Sequence, residues 1–258
     1  MAQPDWNPAH YARFADQRLQ PALDLLARLG DVPEGDVIDL GCGNGGVGPA
    51  LAARFGADRL RGVDNSRAML DQAAQTGAYA TLELADIAGW VPEAAPAVIF
   101  SNAALHWLPD HETLLPALAG AVAPSGVLAV QMPHQNRAPS HRLWYDLAEQ
   151  LWPGRIDPGL SPGCMEPAEY HRILSPLGDF ALWETEYFQQ LAPWDDGHPV
   201  RQFTSSTFAR PILAELTPDE QAQLFAQYDA AMARAYPLLV AGSALFPFRR
   251  LFFTLIPS

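Results

Sequence analysis

The chain has 258 residues, 49% of them apolar, and carries 29 acidic against 16 basic residues for a net charge of −13. That length holds one large domain, or a core with an inserted subdomain, and so acidic a surface argues against nucleic acid and anionic membranes as partners. All sixteen basic residues are arginine, which excludes Schiff-base chemistry on a lysine amine and makes any anion site an arginine site with forked donors.

The opening "MAQPDWNPAHYARF" lacks the apolar stretch of a signal peptide. No apolar run approaches the ~18–20 residues that span a bilayer. Two cysteines, Cys42 and Cys164, make no disulfide framework. A cytoplasmic protein is expected, monomeric or weakly homo-oligomeric, with no metal site. An N-terminal helix carrying Tyr11 and Arg18 is expected to fold over a bound cofactor.

Up to about Pro133 the pattern alternates strand and helix. "DVIDL", "RLRGVD", "TLELAD", "AVIFSN" and "GVLAVQM" are short apolar runs bounded by turn residues. "RAMLDQAAQTG" and "HETLLPALAGAVAPSG" between them read as helices. Such alternation predicts an α/β fold, a doubly wound and mostly parallel sheet covered on both faces. Ligands of such sheets bind at the carboxyl ends of the strands.

After Pro133 the texture changes. "APSHRLWYDLAEQLWPG" reads as a helix capped by Ser140. "FALWETEYFQQL" reads as an aromatic-rich strand. "TPDEQAQLFAQYDAAMARAYP" is a helix with a Thr217–Glu220 capping box and Pro218 at its first position. "FPFRRLFFTLIP" is a closing strand. One domain over 1–258 is expected, with a cofactor half at 1–133 and helical, substrate-covering additions at about 134–178 and 202–246.

"VIDLGCGNGGVG" contains G-x-G-x-x-G at Gly41, Gly43 and Gly46, the pattern of a dinucleotide turn. Its physical content is a tight turn that frees backbone amides for a ligand. Asp39 ends the preceding strand two positions earlier. A carboxylate there sits badly beside a pyrophosphate and suits a ligand bearing an ammonium group. Asp64, ending the second strand, can accept from ribose hydroxyls in either ligand class. Asp86 can accept from an adenine amine, with Ile87 against the ring. Asn102 and Ala103 follow the fourth strand.

These residues resemble the successive motifs of class I S-adenosylmethionine-dependent methyltransferases: "VIDLGCGNGG", "GVDNSRAML", "LADIAGW" and "FSNAALHWLPDH". The resemblance implies S-adenosylmethionine rather than NAD. It assigns the methionine part to Asp39, Gly41 and Gly43, the ribose to Asp64, and the adenine to Asp86 and Ile87. Cys42, Asn65, Asn102 and Ala103 complete the expected set. Across nearly the whole chain, "DWNPAHYARFADQRLQPALDLLAR", "LAVQMPHQNRAPSH", "ARPIL" and "LFPFRRLFF" are similar to trans-aconitate 2-methyltransferases. The chain departs from that family at Gln20, at Asn44 and Val47 in the loop, at His106, and at Phe203 and Ser206–Thr207.

The resemblance implies methyl transfer to a carboxylate of a small polycarboxylate. A carboxylate is ionised near pH 7, because the free acid titrates near ~4, and needs no general base. Arg210 and Arg250 are the candidate clamp for its other carboxylates. Arg249 and Arg250 lie on opposite faces of a strand-like run, so one of them can face a pocket. Tyr187 can donate to a carboxylate, and so, on the N-terminal helix, can Tyr11 and Arg18. His106 and Trp107 fall where the methyl group would emerge, His106 as a carboxylate contact or a base. Packing roles for each of these remain open. So do methylation of another small molecule at oxygen or nitrogen, and cofactor binding without transfer.

Overall fold

The computed structural model describes residues 15–160 and 162–258. Helix α1 (Ala15–Arg28) leads into strand β1 (Val37–Leu40), followed by α2 (Gly48–Phe55), β2 (Leu60–Asp64), α3 (Arg67–Gln75) and β3 (Thr81–Leu84). Then come β4 (Val98–Asn102), α4 (His111–Ala121) and β5 (Val127–Pro133). The later chain forms α5 (Pro139–Leu151), α6 (Pro167–Leu174), β6 (Gly178–Leu191), α7 (Pro199–Ser205), α8 (Arg210–Ala214), α9 (Pro218–Ala235) and β7 (Ala244–Pro257).

The strands make one seven-stranded sheet in the order β3-β2-β1-β4-β5-β7-β6, with β1 to β5 parallel. The chain winds outward from β1 to β3, then returns to β4 and winds the other way. The expected doubly wound α/β fold is therefore the fold observed. Its topological switch point lies between β1 and β4, where open α/β sheets bind ligands. Both central strands are apolar and buried on both faces, as a parallel sheet requires: Val37, Leu40, Val98, Ile99 and Phe100 are wholly buried.

The chain divides into two compact units, one of residues up to Met132 with Met165–Thr185 and Leu251–Ser258, the other of Pro133–Cys164 with Glu186–Arg250. In the first, α1 ends where Arg54 of α2 donates to the carbonyls of Leu26, at 2.6 Å, and Gly30, at 2.9 Å, and also to that of Leu29. A guanidinium there answers the orphan carbonyls and negative pole of the helix end. In the second, Trp144 of α5 stacks on Tyr228 of α9 at 3.9 Å, and the Tyr228 hydroxyl donates to the Ser140 carbonyl at 2.6 Å. Arg201 of α7 is buried between the rings of Trp194 and Phe225 and pairs with Asp229 at 2.8 Å. This arginine is fully explained by packing.

Three local expectations are corrected. The N-cap of α5 is Ala138, not Ser140. Pro139 lacks an N–H and has its φ fixed, so it takes the first helical position and pushes the cap back by two residues. Ser140 lies inside the first turn, with its hydroxyl 3.0 Å from Nδ1 of His141. Helix α4 stops at Ala121 rather than running on through "VAPSG". Ser125 adopts φ 62, and a Cβ on Gly126 would lie 2.7 Å from the Ala97 carbonyl oxygen, so this stretch is a tight turn into β5. β3 ends at Leu84, short of Asp86. The capping box of α9, with Thr217, Glu220 and Pro218, forms as expected.

Candidate active site

The turn after β1 is built on glycine where the backbone demands it. Gly41 has φ +78, and a Cβ there would fall 2.2 Å from the Ala104 Cβ and 3.3 Å from Cδ1 of Ile87. The residues after β3 and β4 thus close directly on the turn, and nothing larger than glycine fits. Gly43 is also left-handed, at φ +56. The third glycine of the sequence pattern is displaced: Gly46 has no positive φ, and a Cβ there would meet only Oδ1 of Asn44, at an ordinary 3.4 Å. The close approaches fall instead at Gly45, where a Cβ would lie 2.9 Å from the Ala73 backbone, and at Gly48, where it would lie 2.6 Å from the Tyr79 ring. Gly48 opens α2 with Tyr79 packed against it.

Asp64 organises this turn. Its Oδ2 accepts from the Gly43 N–H at 2.8 Å and its Oδ1 from the Ser66 N–H at 2.9 Å. Ser66 in turn caps α3 by accepting from the Met69 N–H at 3.4 Å. Asn65, between them, is exposed. Cys42 is buried, and burial pushes its thiol well above the ordinary range, so it packs as a small inert side chain.

Asp39 is 2% exposed and accepts from the Tyr79 hydroxyl at 2.7 Å. Burial raises its carboxyl from 3.8 to about 7; the Tyr79 hydrogen bond opposes this, and the neighbouring charge of Asp64 adds to it. A carboxyl raised in the folded state binds more protons there than in the unfolded chain. Its contribution to stability is therefore complete below pH ~4 and is lost as pH rises toward ~7, a loss on the order of 4 kcal/mol. Thermal melts of ligand-free wild type and Asp39→Asn should show this. The variant gains in relative stability as pH is raised from 4.5 to 8, and a constant difference would refute the assignment.

The remaining candidates fall as follows. Asp86 is exposed and caps the single turn Ile87–Gly89, accepting from the Ala88 N–H at 3.0 Å. Ala103 is left-handed at φ 53, which strains a residue with a Cβ and marks a held backbone at the switch point. Its N–H donates to the Gln131 carbonyl at 2.9 Å. His106 and Trp107 share the single turn Leu105–Trp107, with His106 buried and the ring centroids 5.2 Å apart.

In the second unit, Arg250 is 3% exposed while Arg249 is exposed, the alternation of a strand. The Arg250 guanidinium lies 4.4 Å over the Phe248 ring. His141 packs on Phe208 at 4.5 Å and Phe248 at 5.9 Å. Burial, and then the charge of Arg250, push His141 down to about 3, so this buried cluster carries its positive charge on Arg250 alone. Arg210 opens α8, half-buried, and Tyr187 is half-buried on β6. Tyr11 lies outside the described residues, and of Arg18 the backbone, in α1, is described and the side chain is not. Among the described residues no group of three or more histidine, cysteine or acidic side chains is placed to hold a metal ion. No helix among them is long and apolar enough to cross a membrane.

Sequence reasoning passed over three residues. Tyr79 carried no signal: a lone aromatic before a strand does not announce a bond to Asp39. His141 could be placed beside Arg250 only by the fold. Gln131 did carry a signal, as a polar residue inside an otherwise apolar strand run.

A methyltransferase-domain family model matches residues 37–126, the span from β1 to the turn before β5. The chain is 41% identical over 254 residues to the trans-aconitate 2-methyltransferase of Methylobacterium radiotolerans, covering 96% of each protein. It is 40% identical over 253 residues to the protein of that name from Variovorax paradoxus, again covering 96% of each. Among solved structures, the YcgJ protein of Bacillus subtilis superposes with a TM-score of 0.57 at 15% identity, covering 90% of this chain and 96% of that one, a likeness of fold. Identity of this degree over nearly the full length of both proteins, with the glycine turn and its two buried or bridging carboxylates at the switch point, makes the chain an S-adenosylmethionine-dependent methyltransferase that belongs to the trans-aconitate 2-methyltransferase family.

Proposed function

We propose that the enzyme transfers the methyl group of S-adenosylmethionine to a carboxylate oxygen of trans-aconitate. The observation that carries this reading is the near-full-length similarity to proteins named trans-aconitate 2-methyltransferase. A buried arginine with an aromatic platform, Arg250 over Phe248, supports it.

The residues at the switch point fit the cofactor by chemistry. Asp64 is a carboxylate whose two oxygens accept from the Gly43 and Ser66 N–H groups, the acceptor chemistry that suits ribose hydroxyls. Asp39 is a buried carboxyl beside the like charge of Asp64, so a bound cation would stabilise its charged form, which suits an ammonium group. Ile87, against the glycine turn, offers an apolar face, and Asp86 beside it an acceptor. Cys42, Asn65, Asn102 and Ala103 complete the proposed set. When bound, the cofactor supplies a methyl group already activated on a sulfonium.

The protein's own work is then positioning. The attacking carboxylate must sit about 3–3.5 Å from the carbon, in line with the bond that breaks. Arg250, with Arg210 and Tyr187, is proposed to hold the acceptor's other carboxylates, leaving the attacking oxygen weakly solvated and reactive. All three belong to the unit of Pro133–Cys164 and Glu186–Arg250, which is proposed to recognise the acceptor. An ionised nucleophile requires no base, so His106 has no proton to carry, and with Trp107 it is proposed to contact the acceptor.

The test is turnover of a panel of di- and tricarboxylates, phenols and amines with methyl-labelled cofactor. Trans-aconitate should give the highest kcat/KM and a monomethyl ester. Comparable turnover of a phenol or an amine would overturn the reading.

A further inference from the structure

Gln131 interrupts an apolar strand. It is wholly buried, and neither its Nε2 nor its Oε1 has a hydrogen-bond partner among the described residues. The Oδ1 of Asn102, on the neighbouring strand, is likewise buried and without a partner. The backbone is not at fault, since the Gln131 carbonyl accepts from Ala103 at 2.9 Å. The deficit is confined to the side-chain amides.

Strand register places these amides. β4 and β5 pair Asn102 with Gln131 and Phe100 with Ala129, and β1 and β4 pair Asp39 with Phe100. Side chains two residues apart share a face of the sheet. Asp39, Asn102 and Gln131 therefore stand on one face near the carboxyl ends of three adjacent strands, which are spaced about 4.8 Å apart. That is the switch point at which the glycine turn also lies.

A buried amide without partners destabilises a fold relative to an apolar side chain of the same shape. Here the unmet capacity has a definite chemistry. The face offers the Asp39 carboxyl, two amide oxygens as acceptors, and one amide N–H2 as donor. A polycarboxylate would meet mostly other acceptors there, and a nucleoside would leave Asp39 without a cation. An α-amino acid group supplies what is missing, with N–H donors on a positive ammonium and a carboxylate one carbon away.

We propose that Gln131, together with Asn102, binds the amino-acid end of the cofactor, the amide oxygens accepting from its ammonium and Gln131 Nε2 donating to its carboxylate. The proposal rests on the cofactor and is independent of which acceptor the enzyme methylates.

The experiment compares wild type with Gln131→Leu by calorimetry, using two probes on the full chain. S-adenosylhomocysteine carries the amino-acid end. 5′-Methylthioadenosine keeps the nucleoside and thioether and lacks that end. The variant should bind S-adenosylhomocysteine roughly 10- to 100-fold more weakly, the worth of one or two charge-assisted hydrogen bonds, and should bind methylthioadenosine within about twofold of wild type. An equal loss for both probes would mean that Gln131 only supports the fold, and the proposal fails. Unchanged S-adenosylhomocysteine binding with a raised KM for the acceptor would assign Gln131 to the acceptor, and the proposal again fails. Should the leucine variant not fold, Gln131→Met, unbranched and of similar length, must show the same selective loss.

Discussion

Replacing Arg250 by alanine is expected to lower kcat/KM for trans-aconitate by roughly 30-fold or more. The guanidinium is buried, lies on the Phe248 ring, and carries the positive charge of a cluster whose histidine is held neutral. A polycarboxylate approaching a protein of net charge −13 needs a local positive field to offset the overall repulsion. Arginine answers it with two parallel donors. Leaving one substrate carboxylate without that partner in a dry site costs about 2–5 kcal/mol, and ~1.4 kcal/mol is tenfold. Affinity for S-adenosylhomocysteine should stay within about twofold. Arg249→Ala, at the exposed neighbour, should be nearly silent. The decisive comparison uses a neutral ester of the acceptor: equal loss on charged and neutral substrates would make Arg250 a packing residue.

Replacing Asp64 by alanine should weaken S-adenosylhomocysteine about 100-fold or more, measured by calorimetry. The substitution removes two kinds of interaction at once. The carboxylate fastens the Gly43 and Ser66 N–H groups at 2.8 and 2.9 Å, so its loss frees the turn and the start of α3. It also supplies the acceptors proposed for the ribose hydroxyls. Hydrogen bonds to a charged group contribute ~1.5–3 kcal/mol each, so losing two is consistent with the stated factor. Asp64→Asn tests the geometry, because one amide edge must now face a backbone N–H with a donor. It should fall between wild type and alanine in affinity. Binding that survives Asp64→Ala within threefold would place the ribose elsewhere.

The strand–helix alternation and the acidic residues at or near the strand ends were legible in the sequence because each rests on a local rule. Asp39, Asp64 and Asp86 follow apolar runs of strand length, and the capping box at Thr217 is a four-residue signature. What failed to show in the sequence depends on distant contacts. The glycine pattern pointed to Gly46, but which glycine must lack a side chain is decided by Tyr79 and Ala73, far along the chain. Ser140 looked like a cap until Pro139 claimed the first helical position. His141 acquires its meaning from Arg250, more than a hundred residues later, and no periodicity links the two.

The strand order bears on how the chain is born. β7 lies between β5 and β6 in the sheet, yet it follows both of them in the chain. Until residues 244–257 emerge, β5 has no neighbour on its outer side and β6 has nothing to pair with. The sheet therefore closes late, through contacts spanning more than a hundred residues, the kind of pairing that slows folding and leaves strand edges open to other chains in the meantime. From the completion of β6 at Leu191 until β7 emerges, the nascent chain thus carries two unpaired strand edges, and Arg250 arrives with the segment that pairs them.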